Sequence, residues 1–273
     1  MTSKTEICLF DGEQDLPEET PLYRYLSTES FLHLMEFKRL LFTRITDWPD
    51  SFEGSRFAFL SKAHNQIDFP GRTKDDFFAI CWSLQTEDRR LFDHDADHDK
   101  AVEEIRENGS AAMWESYCKN GGVRIATTAG KLNKLFESRT ADCKVFRGKV
   151  YYEPIDSWGV TIKAPTLVST LLHKRVSFRY ESEYRYILVP DHATHDPVVT
   201  AEIDSIYQFL DEILVSPATS RNKWISRTLY QVGVDLTINR ENHCVNSKDS
   251  HQFCRISQLY NAISQTIGYL DML

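Results

Sequence analysis

The spacing of apolar side chains changes period many times along this chain. Residues 21–26 alternate, with Tyr23 and Tyr25 on one face, and predict a short strand. Ser27, or alternatively Ser30, offers the hydroxyl of a helix N-cap, and Phe31, Leu34, Met35 and Lys38 recur at helical spacing. Residues 39–43 predict a second strand, and Thr46-Asp47-Trp48-Pro49-Asp50 is turn chemistry. Residues 77–84 are nearly all apolar, the pattern of a buried strand. Residues 85–108 are highly charged and close on a helix-like stretch at 100–107. A short amphipathic helix at 111–118 stops at Asn120-Gly121-Gly122. A strand at 123–127, a helix at 128–136 and an alternating strand at 143–152 follow. A helix at 165–174 capped by Thr166 and a long strand at 178–189 come next. From 198 the pattern reads strand, helix, strand and a mixed ending.

Short strands mixed with helices, without regular β–α–β spacing, predict the α+β class. No repeat, low-complexity tract or Pro/Gly/Ser-rich linker interrupts the chain. The expectation is one domain over 1–273, its mixed or mostly antiparallel sheet flanked by short helices.

Composition adds the setting. The 273 residues are 41% hydrophobic and 26% charged, which excludes disorder and fibrous repeats. A formal net charge of −8 argues against a broad basic surface for nucleic acid, but not against a local groove. The 6 cysteines are scattered with no CxxC pair, the usage expected of reduced thiols in a cytosolic protein. The polar start lacks a cationic and apolar leader, and the apolar run at 77–82 falls far short of the ~20 residues of a membrane span. A soluble, cytoplasmic protein with no membrane partner is expected.

Six segments could carry chemistry. If 178–189 is one strand, Glu181, Glu183 and Arg185 share a face, and Tyr180, Ser182, Tyr184 and Tyr186 share the other. Carboxylates two apart can stabilise an oxocarbenium-like cation and orient an attacking group. The plainer expectation is a solvated strand edge with weak Glu–Arg contact. Arg24, between Tyr23 and Tyr25, suits a phosphate or lays its stem over aromatic core. Ser83, at the end of the buried strand, can bond a sugar hydroxyl or simply end the strand; no nucleophile elbow surrounds it. His94-Asp95-Ala96-Asp97-His98-Asp99 has metal-ligand residue types but reads more simply as a solvated acidic loop. Trp114 and Tyr117, three apart on a helix, read as core or as a stacking platform for a base or nicotinamide. His173-Lys174, read at a helix end, complements the helix dipole.

Four blocks keep a fixed order. They are Leu22-Tyr23-Arg24-Tyr25 with Phe42-Thr43 and Trp48-Pro49-Asp50-Ser51-Phe52-Glu53; Ile80-Cys81-Trp82-Ser83-Leu84; Met113-Trp114-Glu115-Ser116-Tyr117 with Gly122-Val123-Arg124-Ile125; and Tyr180-Glu181-Ser182-Glu183-Tyr184-Arg185. In these, and in Ile213-Leu214-Val215-Ser216-Pro217-Ala218, residues 22–218 resemble the DUF2971 family of uncharacterised bacterial proteins. The family's Asn-Asp-Pro turn is here Pro49-Asp50-Ser51, the acidic 93–99 segment is unusual, and 219–273 forms an extension of unknown role. More distantly, the order Arg, Ser, Glu-x-Glu resembles the Arg-Ser-Glu type of ADP-ribosyltransferase. That resemblance implies an ADP-ribosyltransferase-like fold and NAD as substrate with no metal required. Arg24 would bind the NAD phosphates or ribose, Ser83 would support the nicotinamide ribose, Glu183 would be the catalytic glutamate and Glu181 the substrate-orienting one. Thr43 competes with Ser83 for the serine role. The wider NAD-binding set is then Tyr23, Tyr25, Thr43, Trp114, Tyr117 and Arg185.

Three functions stay open. The first is NAD-dependent ADP-ribosyl transfer or NAD glycohydrolysis, with an unknown protein or nucleic-acid acceptor, as in a bacterial toxin or defence effector. The second is a non-catalytic protein- or nucleotide-binding module of a defence complex, working through Trp114 and Tyr117. The third is a metal-dependent nuclease or phosphohydrolase using His94, Asp95, Asp97, His98 and Asp99.

Overall fold

A computed structural model describes residues 7–9, 15–50, 52–54, 69, 71–86, 93–140, 142–154, 166–217, 228, 238–239, 244–245 and 254–256. In chain order the elements are β1 (Ile7–Leu9), β2 (Pro21–Ser27), α1 (Thr28–Phe37), β3 (Arg39–Arg44), β4 (Phe78–Ser83), α2 (Asp95–Asn108), α3 (Ala111–Tyr117), β5 (Gly122–Thr128), α4 (Ala129–Arg139) and β6 (Cys143–Lys149). They continue as β7 (Tyr151–Glu153), α5 (Leu167–Thr170), β8 (His173–Arg175), β9 (Glu183–Pro190), β10 (Val198–Glu202), α6 (Ile206–Phe209), β11 (Glu212–Val215), β12 (Ile238–Asn239), β13 (Cys244–Val245) and β14 (Cys254–Ile256). The class is α+β with mostly antiparallel strand pairs, as the irregular order of elements predicts.

Contacts divide the chain into two compact units. The first comprises Met1–Thr20, Arg39–Leu84 and Thr128–Ile203; the second comprises Pro21–Lys38, Gln85–Thr127 and Asp204–Leu273.

In the first unit the strands run β1-β6-β9-β4-β3-β10, parallel only at β1/β6. β9 lies in the middle, paired with β4 and β6, and is buried along its whole length. A strand covered on both faces can carry Ile187, Leu188 and Val189 in succession. One face carries Ile187 and Val189 into a core with Leu167, Val168 and Leu171 around α5. The other face carries Tyr186 against Phe136 of α4, with ring centroids 4.9 Å apart. β7 and β8 form a separate parallel pair in which Tyr152 lies opposite Lys174.

In the second unit the order is β2-β5-β11-β14-β13-β12. Ser27 does cap α1, its hydroxyl accepting from the Ser30 amide at 3.1 Å. Trp114, Met113, Cys118, Tyr25 and Leu214 form a core cluster. Gly122 is needed here: a Cβ would sit 2.2 Å from the Leu26 carbonyl oxygen and 2.8 Å from Cys118 Sγ.

Four predicted elements differ. The helix expected at 100–107 begins at Asp95, because Asp95 and Asp97 in its first turn complement the helix dipole. The strand expected at 143–152 breaks at Val150 into β6 and β7. The helix expected at 165–174 is only Leu167–Thr170, closed by a Thr166/Ser169 capping box, and the chain then enters β8. The long strand expected at 178–189 starts at Glu183. Residues Val176–Glu181 form a 3-10 turn, and Ser182 takes a left-handed conformation at φ 43° that reverses the chain. Among the described residues no helix is long and apolar enough to cross a membrane.

Candidate active site

The first unit buries five charged side chains in one cluster. Glu183 and Arg185 come from β9, Lys174 from β8, Glu181 from the turn before β9, and Glu53 from the loop at 52–54. Arg185 Nε donates to Glu183 Oε2 at 2.7 Å and Nη2 donates to Glu53 Oε2 at 2.5 Å. Lys174 Nζ lies 2.7 Å from Glu183 Oε1 and 3.0 Å from Glu53 Oε1. Two carboxylates and two cations therefore close a ring of alternating charge. Glu181 joins from outside the ring, its Oε2 accepting from the Lys174 ammonium.

The surroundings fix this ring. Arg185 Nη1 donates to the Leu171 carbonyl at 2.6 Å, and its guanidinium lies over the Trp48 ring, 4.6 Å from the centroid. Trp48 Nε1 donates to Thr43 Oγ1 at 3.2 Å. Lys74 Nζ donates to the Glu53 carbonyl at 2.6 Å, and the Glu183 amide donates to the Tyr152 hydroxyl at 2.8 Å. Lys174 also lies 4.8 Å from the centre of the Phe178 ring. Thus Thr43 reaches the cluster through one intermediary, Trp48. Ser83, buried on β4, sits directly across the ladder from Glu183.

Burial raises the cost of every charge here, and the two neighbouring carboxyls split. For Glu183, burial is outweighed by the Arg185 charge, a hydrogen bond with Glu181 and the Lys174 charge, so its carboxyl is held well below the ordinary range. For Glu181, burial, that same hydrogen bond and the charge of Glu183 push the carboxyl up to about 8, against the pull of Lys174. The pair is thus pulled apart, Glu183 toward the ionised form and Glu181 toward the protonated one. A fixed anion beside a proton donor is the arrangement of acid–base chemistry. Burial and Glu183 also raise the Tyr152 hydroxyl, and burial and Glu183 raise the Cys81 thiol, so both stay protonated.

The expected solvated strand edge is therefore overturned: Glu181 and Glu183 are 3% and 6% exposed, on or beside a central strand. The shared face of Glu181 and Glu183 does not arise from strand period, because Glu181 precedes the strand. Lys174, expected at a helix terminus, is the bridge between them. Glu53, Trp48 and Tyr152 were given no site role by sequence, and Lys174 only that of complementing a helix dipole. Only Glu53 and Trp48 carried a signal, both standing within the Trp48-to-Glu53 block.

The second unit gathers its own blocks around Arg124, which is fully buried on β5. Arg124 Nη1 donates to Gln85 Oε1 at 2.8 Å and to the Ile105 carbonyl at 3.0 Å; Nη2 donates to the Arg106 carbonyl at 2.6 Å and to Glu212 Oε1 at 2.7 Å. A guanidinium here satisfies the carbonyl end of α2. Its plane lies over the Tyr23 ring at 4.6 Å. The Tyr25 hydroxyl accepts from the Ser110 amide at 2.8 Å and from the Gln85 amide nitrogen. Its ring meets Trp114 edge-on, with centroids 4.7 Å apart. Arg24 is half-buried on β2. Trp114 is buried while Tyr117 is 45% exposed, so the two do not form one stacking platform. Among the described residues no group of His, Cys, Asp and Glu is disposed to hold a metal ion; Asp95, Asp97 and His98 lie along the first turns of α2.

No protein-family model matches the chain, and no curated protein matches it. Among solved structures it is similar to Thermus sp. 2.9 DarT in complex with ADP-ribosylated ssDNA, at 10% identity and a TM-score of 0.32, covering 85% of this chain and 90% of that one. No residue here is assigned from that likeness.

Proposed function

We propose that the chain cleaves the nicotinamide–ribose bond of NAD, as an ADP-ribosyltransferase or NAD glycohydrolase, with Glu183 and Glu181 as its working carboxyls. The observation that supports this is the buried pair itself: two carboxyls, 3% and 6% exposed, both held on Lys174, with Arg185 favouring the ionised form of Glu183 and burial favouring the protonated form of Glu181. When the C1′–nitrogen bond breaks, its electron pair stays on the nicotinamide and positive charge builds on the ribose. An ionised carboxylate in a dry site stabilises that charge more than water does. Glu181 donates a hydrogen bond to the sugar or incoming nucleophile, and Ser83 supports the ribose. The new bond forms between C1′ and a protein or nucleic-acid acceptor, or water, whose proton leaves. These groups act without a metal. A toxin or defence effector is a role such chemistry serves.

A binding module without turnover is the second reading. It is favoured by one observation: each Glu183 oxygen already faces a cation.

The test is nicotinamide release from NAD, with protein and nucleic-acid acceptors supplied, by wild type and Glu183→Gln, with and without EDTA. Wild-type release unaffected by EDTA, and lost by ~100-fold or more in a folded Glu183→Gln protein, is expected. A folded Glu183→Gln variant as active as wild type overturns the assignment. Release abolished by EDTA favours metal-dependent chemistry, and no release under any condition favours the binding module.

A further inference from the structure

Glu53 lies far from Glu181 and Glu183 in sequence, yet it is built into their cluster as firmly as they are. Its side chain is 6% exposed. Its two oxygens take the same two cations as the two oxygens of Glu183: Lys174 on one side, Arg185 on the other. The ring therefore contains two negative and two positive charges and is neutral by itself. Glu181, bonded to Lys174 and to Glu183, meets a lysine already shared between two anions.

We propose that Glu53 is a positioning residue for the Glu181/Glu183 pair: by closing the ring with Lys174 and Arg185 it balances both cations and so keeps the proton on Glu181. This rests on the reading of that pair as the working carboxyls. The shared lysine carries the argument. With Glu53 present, the Lys174 ammonium is divided among three carboxyls, those of Glu53, Glu183 and Glu181. With Glu53 neutral, Lys174 turns more fully to Glu181 and favours its ionised form. The charged groups that act on Glu181 include Glu183 from β9 and Lys174 from β8, with Tyr152 from β7 beside them and Lys74 next to Glu53. Tyr152 stays protonated, so it adds no charge. A merely structural glutamate would stiffen the loop at 52–54 but leave the protonation of Glu181 where it is.

The experiment follows the carbonyl stretch of protonated carboxyls by infrared difference spectroscopy from pH 5 to 10, on full-length wild type, Glu181→Gln, Glu53→Gln and Glu53→Asp. A wild-type band that vanishes with a midpoint near 8 and is missing from Glu181→Gln is expected. In Glu53→Gln the midpoint should fall by about one pH unit or more. Glu53→Asp, too short to reach both cations, should fall between. An unchanged midpoint in a folded Glu53 variant overturns the proposal, as does absence of the band from wild type. Failure of both Glu53 variants to fold, with Glu181→Gln folded, assigns Glu53 a structural role and also overturns it. The band needs no NAD, so an inert protein with the expected spectra would refute the enzymatic reading and leave the positioning role standing.

Discussion

Arg185→Met tests how far the ring depends on each of its charges. Methionine keeps much of the apolar stem and removes a guanidinium that is 1% exposed. The lost contacts are those to Glu183 Oε2 at 2.7 Å, Glu53 Oε2 at 2.5 Å and the Leu171 carbonyl at 2.6 Å. Water cannot enter to replace them in a packed core. Two carboxylates then share Lys174 alone. Removing one partner of a buried ion pair costs about 3–5 kcal/mol. The orphaned carbonyl adds about 1 kcal/mol, and Trp48 loses a cation worth about 0.5–1 kcal/mol. These losses share atoms and do not sum, so about 4 kcal/mol is expected. The sharper part is the double variant. Glu53→Gln in the Arg185→Met background removes the excess anion and leaves Glu183 paired with Lys174. The double variant should therefore be more stable than Arg185→Met alone by about 1–3 kcal/mol. Urea unfolding at pH 7, followed by circular dichroism and tryptophan fluorescence, measures all four proteins of the cycle. A loss below about 1 kcal/mol for Arg185→Met, or a double variant as unstable as the sum of the singles, would refute the closed ring.

Glu181 predicts a pH dependence with a definite sign. Its folded value lies above the ordinary 4.5, so its contribution is fully present below 4.5 and is lost as pH rises through about 8. Within that window wild type should lose up to about 1.4 kcal/mol per pH unit relative to Glu181→Gln; parallel stability curves for the two proteins would contradict this. Tyr25→Phe should cost about 1–3 kcal/mol in the same urea assay, because it strips the acceptor from the Ser110 amide and the Gln85 side chain in a buried site. Burial already pushes the Tyr25 hydroxyl up to about 12, so this loss should be constant across neutral pH.

Local pattern made most of the fold legible. Short-range rules sufficed for β2, the Ser27 cap, α1, β4, α3 and α4, where period and capping agree with what tertiary packing demands. They failed where long-range contacts override period. Residues 178–182 have the aromatic content of a strand, yet Ser182 turns left-handed there, and no alternation announces such a turn. Lys174 closes the run Leu171-Leu172-His173-Lys174 and looks like a helix terminus; its partners come from β9, the turn before it and the loop at 52–54, which no local window contains. The site was legible in kind rather than in geometry. Glu181, Glu183 and Arg185 stood out as a motif, but their burial could not be read, since a charged triplet in sequence usually means a wet surface.

That burial is what makes the cluster informative. Buried ion pairs are poor devices for stability, because desolvation of each ion costs several kcal/mol and well-packed apolar residues of similar volume often serve as well. The core of the first unit has such residues at hand: Ile187 and Val189 continue the same face of β9 beyond Arg185. The same strand thus switches from an apolar face to Glu183 and Arg185 at one end, and it does so opposite Ser83, where β4 also ends. Stability alone would have continued the apolar face. The second unit shows the contrast. Arg124 is equally buried, but two of its bonds close the carbonyl end of α2, a structural demand that exists with or without a substrate. Arg185 donates to one backbone carbonyl, that of Leu171, and to two carboxylates, Glu183 and Glu53. The two buried arginines therefore answer different requirements: one completes a helix, and the other joins two buried carboxylates, favouring the ionised form of Glu183.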